Sequence, residues 1–78
     1  MKNVNIKEFA AKFNENYDEL YNARDMIAGT KEAVLFFDEF LKSHGDFVGE
    51  FAKYRGDFIA SDREAAAFVF ALEDFALI

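Results

Sequence analysis

Ser61-Asp62-Arg63-Glu64-Ala65-Ala66-Ala67-Phe68-Val69-Phe70-Ala71-Leu72 opens the best-signalled helix of the chain. Ser61 with Glu64 three residues on is a capping box, in which each side chain satisfies a backbone N–H that the first helical turn leaves unpaired. No glycine or proline follows, so the predicted helix runs to Ile78. At ~100° per residue, Ala65, Phe68, Leu72, Phe75 and Ala76 fall on one side, and Ala66, Phe70 and Leu77 fall nearly opposite. A helix that is apolar on two sides lies between other helices or turns its second side to another chain.

The preceding residues supply those other helices. A first helix is predicted from Ile6 to Arg24 or Ile27, with Asn5 as N-cap, Glu8 completing a capping box, and Val4 and Phe9 spaced as a hydrophobic staple. Ile6, Phe9, Ala10, Phe13, Tyr17, Leu20 and Tyr21 form its apolar stripe, and Gly29 is its stop. A second helix is predicted from Lys31 to His44, capped by Thr30 and stopped by Gly45. Its wide apolar face (Ala33, Val34, Phe36, Phe37, Phe40 and Leu41) suits a central position. A third begins after Asp46 as cap, with Phe47, Phe51, Tyr54 and Phe58 on one face. It either continues through Gly56 to Ile59 or breaks there. Gly49 and Gly56 each weaken it by roughly 1 kcal/mol relative to Ala. The fold expected is all-α, a compact bundle of three to four short helices. Its core is Phe13, Tyr17, Phe37, Phe40, Phe51, Phe58, Phe68 and Phe75.

Seventy-eight residues give room for one domain, residues 1–78, and a domain of this size buries only ~60–65% of its unfolded surface. No cysteine is present to staple it, which fits a reducing cytoplasm. The N-terminal residues show no secretion signal. The least charged stretch, Ala65 to Leu72, is too short to span a bilayer, so a membrane association is not expected. Fifteen acidic against nine basic residues leave a net charge of −6, which excludes direct nucleic-acid binding of the phosphate-neutralising kind. Eleven Phe and three Tyr are more apolar ring than so small a body can hide, which points to a partner surface.

Chemistry-bearing patterns are weak. His44 is the single histidine, and no second ligand stands at helical spacing from it, so no metal site is expected and the residue reads as a structural helix-end group. The neighbouring acids Asp18-Glu19, Asp38-Glu39 and Glu73-Asp74 diverge by about 100° on a helix and do not form acid–base dyads. No nucleophile motif, phosphate-cradling glycine loop or calcium-binding loop occurs. No enzyme activity and no cofactor is expected. Arg55-Gly56-Asp57 matches an integrin-binding tripeptide, yet it falls within or beside a helix rather than on a displayed loop, and it reads as coincidence. Acyl carrier proteins are similarly short, acidic and four-helical, but they need Asp-Ser-Leu to hold the phosphopantetheine arm. This chain has Ser61-Asp62-Arg63 instead, and the resemblance fails at the functional residue.

What remains is acidic helix surface. Glu8, Glu15, Asp18 and Glu19 line one side of the first helix, and Glu50 and Asp57 stand two turns apart on the third. Carboxylates on a rigid helix can imitate nucleic-acid phosphates and dock on a basic groove, with electrostatic steering of the encounter. The function expected is therefore a small non-enzymatic inhibitor or adaptor that binds a protein, such as a basic nucleic-acid-binding complex. Phage anti-CRISPR and anti-restriction proteins and immunity proteins against nucleases are similar in size and acidity, although no motif carries the likeness. The alternative is a homo-oligomeric structural or adaptor module closed by an apolar seam of Phe70, Leu77 and Ile78.

Overall fold

The computed structural model describes residues 4–22, 27–57, 59 and 61–78. They form four helices and, among the described residues, no strand: α1 (Ile6–Asn22), α2 (Ile27–Ser43), α3 (Gly45–Arg55) and α4 (Asp62–Asp74). The all-α expectation is met with four helices.

The starts of α1 and α4 have a local cause. Asn5 caps α1, its Oδ1 accepting from the N–H groups of Lys7 (2.9 Å) and Glu8 (3.2 Å). Ser61 caps α4 as predicted. Its Oγ accepts from the Glu64 N–H at 3.1 Å and donates to the Glu64 carboxylate at 3.0 Å. Several predicted boundaries move. Gly29 and Thr30, read as stop and cap, lie inside α2, which already begins at Ile27; α1 therefore does not reach Ile27, and Arg24 lies outside the described residues. One glycine costs a helix about 1 kcal/mol, which weakens it but does not end it. Nor is Asp46 a cap, because α3 begins one residue earlier and Asp46 sits in its first turn, still well placed against the helix dipole. His44 alone separates α2 from α3, with its N–H on the Phe40 carbonyl and its own carbonyl accepting from Val48.

The two helix ends that matter most are left-handed turns. Gly56 takes φ 84°, and the N–H groups of Gly56 and Asp57 both reach the Ala52 carbonyl, so α3 breaks at Gly56 rather than continuing to Ile59. In the same way α4 stops at Asp74, short of the predicted Ile78. Ala76 adopts φ 54°, and the Leu77 N–H returns to the Leu72 carbonyl at 2.9 Å. That turn needs no glycine, because it brings Leu77 back against the core.

The central helix is α4, not α2. It packs on α1 along one side and on α2 along the other, while α3 closes the end with smaller contacts to both. Ala65, Ala66, Ala67, Phe68, Val69, Ala71 and Leu72 are all buried, so most of both apolar sides of α4 is covered within the chain, with Phe70 left partly open. Small alanines let the flanking helices approach closely. Phe68 is the hub: its ring meets Phe9 (5.0 Å), Phe37 (5.3 Å), Phe51 (5.3 Å), Phe40 (5.9 Å) and Phe47 (6.0 Å), mostly edge to face. Each such pair adds roughly 0.5–1.5 kcal/mol beyond burial.

Of the expected core, Phe13, Phe37, Phe40, Phe51 and Phe68 are buried, Tyr17 and Phe75 are partly buried against it, and Phe58 lies outside the described residues. Tyr54 was placed on the inner face of α3 and instead faces solvent. Val48 and Phe51 carry the burial there, which rotates the stripe away from Tyr54.

Candidate functional site

The outer side of α1 carries Glu8, Glu15, Asp18 and Glu19, all exposed, opposite the buried Phe9, Phe13, Asn16 and Leu20. This is what the 3.6-residue period requires once the apolar side is committed to α4. Lys12 reaches Glu15 at 3.4 Å, a solvent-exposed pair worth at most a few tenths of a kcal/mol. The acidic pair expected on α3 is not assembled. Glu50 is on the helix, but Asp57 lies beyond its end at Gly56, so the two exposed acids share no helical face.

Behind α1 runs a polar seam that fixes how its outer side is held. The Arg55 guanidinium, at the C-terminal end of α3, forms an ion pair with the Glu64 carboxylate in the first turn of α4. It also lies 5.1 Å from the centre of the Phe13 ring. Glu64 thus serves two partners, Ser61 through one oxygen and Arg55 through the other. Because Arg55 is engaged inward, the Arg55-Gly56-Asp57 tripeptide is not displayed. At the other end of α4, buried Asn16 donates from Nδ2 to the Asp74 carboxylate at 3.1 Å. Neither tie between helices was visible in the sequence, since partners 9 and 58 positions apart have no periodic signature.

A second surface lies on the α2 side of α4. Phe36 is 41% exposed and Ile78 49% exposed, and they form a ridge shared by two shallow grooves. One groove, of about 290 Å³, is lined by Phe70, Val69 and Ala33 with Glu32 and Glu73 at its rim. The other runs past Phe40 and Leu77 to Glu39 and His44. The expected seam residues Phe70, Leu77 and Ile78 do not share one helix, because α4 ends at Asp74. Leu77 and Ile78 lie past the end of α4; Phe70 lines the first groove, the partly buried Leu77 lines the second, and Ile78 lines both, with Phe36 of α2 beside them. The breadth of α2's apolar face was the available signal for Phe36, because one neighbour cannot cover so wide a stripe. Leu35, 67% exposed, points about 100° away from Phe36 and belongs to neither groove.

His44 stacks on Phe40 with ring centres 4.3 Å apart, consistent with a structural role at the α2–α3 corner. Among the described residues, no group of three or more His, Cys, Asp or Glu is arranged to hold a metal ion, and no helix is long and apolar enough to cross a membrane. No family model, curated protein or solved structure matches the chain.

Proposed function

We propose that the protein is a small non-enzymatic inhibitor that docks on the basic surface of a nucleic-acid-handling protein complex, with the carboxylates of α1 standing where phosphates would lie. The exposed row Glu8, Glu15, Asp18 and Glu19 carries this reading. Eleven residues of helix separate its ends, about 16.5 Å at 1.5 Å per residue. Four carboxylates over that length leave three intervals averaging about 5.5 Å, wider than the one charge per ~3.4 Å along a single nucleic-acid strand, with Glu15, Asp18 and Glu19 as the dense end. Lys7 and Lys12 thin the field, so the row imitates a short stretch of strand rather than a duplex. The net charge of −6 adds long-range attraction to a basic groove and raises the encounter rate. The mode of action is that of a phage anti-CRISPR or anti-restriction protein, acting in the cytoplasm.

The test is affinity capture from a host lysate, with the triple variant Glu15→Lys, Asp18→Lys, Glu19→Lys as control. The reading expects wild type to capture a nucleic-acid-handling protein that duplex oligonucleotide displaces. The variant should keep its helix content by circular dichroism and lose that capture. Equal recovery by both proteins would remove the acidic-face mechanism.

A further inference from the structure

The Phe36–Ile78 ridge and its grooves lie on the α2 flank, across α4 from the carboxylates of α1, so a ligand there is independent of the α1 reading. We propose that this surface seats the apolar side chains of a basic amphipathic helix from a partner protein. Three observations carry the proposal.

First, the apolar exposure is concentrated. Phe36 and Ile78 are two of the four large apolar residues that stand out from the described surface, and they wall the same two grooves, with Phe70 partly buried beside them. Second, the two grooves, of about 290 and 320 Å³, are open to solvent along their length. Small-molecule sites bury most of their ligand, whereas a shallow open groove suits one anchoring side chain. Two grooves astride one ridge call for two anchors, which a helix supplies at i and i+4 or i+7.

Third, the rim selects the partner's charge. Glu32 and Glu73 are the charged residues lining the first groove, one from each bordering helix; Glu39, on the second, already pairs with Lys42 at 3.2 Å, so the first groove carries the charge argument. A second copy of this chain is the rival occupant. A two-fold pairing of the same patch would bring Glu32 and Glu73 against their own counterparts, between bodies of net charge −6. Lys or Arg flanking the apolar anchors removes that repulsion.

The experiment titrates the isotopically labelled protein with a peptide of about 15 residues, Leu at i, i+3, i+4 and i+7 and Lys elsewhere. Its controls are a scrambled peptide of identical composition and a Leu/Glu analogue. The amphipathic Lys peptide should shift amides of Phe36, Phe70 and Ile78, and bind about tenfold or more tighter than the scrambled one. Phe36→Ser, or Ile78→Ser should the first variant fold poorly, should weaken binding by a similar factor, while the α1 triple reversal leaves the shifted residues unchanged. Equal binding of amphipathic and scrambled peptides, or shifts confined to α1, would overturn the proposal. So would sedimentation showing a dimer that Phe36→Ser dissociates, which would assign the surface to a second copy. Failure of the α1 capture experiment leaves this outcome untouched, since the two assays read different faces.

Discussion

The two flanks of α4 are covered in different ways. On the α1 flank, a stripe of ordinary width meets α4 and is used up: Phe9, Phe13 and Leu20 are buried, Arg55–Glu64 and Asn16–Asp74 tie the helices, and only charge is left outside. On the α2 flank, Phe37 and Phe40 are buried, but the apolar face is too wide for its neighbour and Phe36 stays on the surface beside Ile78. The comparison teaches that outward chemistry here is a remainder of packing. A helix whose apolar arc matches its neighbour presents charge, and one whose arc is wider presents an apolar ridge.

Substitutions can break or sharpen that contrast. The largest effect is expected at Phe68, which both flanks share. Phe68→Ala should cost about 3–5 kcal/mol, a large share of a small domain's stability, read as loss of the cooperative thermal transition. Next comes Glu64, on the α1 flank alone. Glu64→Ala strands a half-buried guanidinium and removes half of the capping box, and should cost about 2 kcal/mol by chemical denaturation. Glu64→Gln keeps an acceptor for Ser61 and should lose less. Gly49→Ala should raise stability by about 0.5–1 kcal/mol, since the added methyl meets nothing within 4 Å and a helical glycine is relieved. A comparably small effect is expected on the α2 flank. Phe36→Ser should cost no more than about 1 kcal/mol, because the residue is 41% exposed and only part of its ring is covered, beside Phe40. A loss of 2 kcal/mol or more there would mean that the ridge belongs to the core, and the contrast between flanks would fail.

The sequence showed much of this architecture and missed specific parts for physical reasons. The caps Asn5 and Ser61 and the α1 stripe were legible because they depend on residues three or four apart. The end of α4 was not. Ala76 in a left-handed turn has no composition cue, and the turn exists because Leu77 finds the core, a tertiary contact. The α2 start was misread because glycine was taken as a stop when it only weakens a helix. In the candidate sites, the α1 carboxylates follow from periodicity alone. The Phe36–Phe70–Ile78 ridge needs three segments brought together, and the sequence pattern points only to Phe70 and Ile78.

The most direct test of the acidic-face account is the affinity of the captured partner across a salt series, for wild type and the α1 triple reversal. Docking through Glu8, Glu15, Asp18 and Glu19 predicts that wild-type affinity falls steeply as salt rises from about 50 to about 300 mM, as the Debye length shortens towards a few ångströms. It also predicts that the reversal binds weakly throughout. Affinity that is independent of salt and indifferent to the reversal would contradict the account.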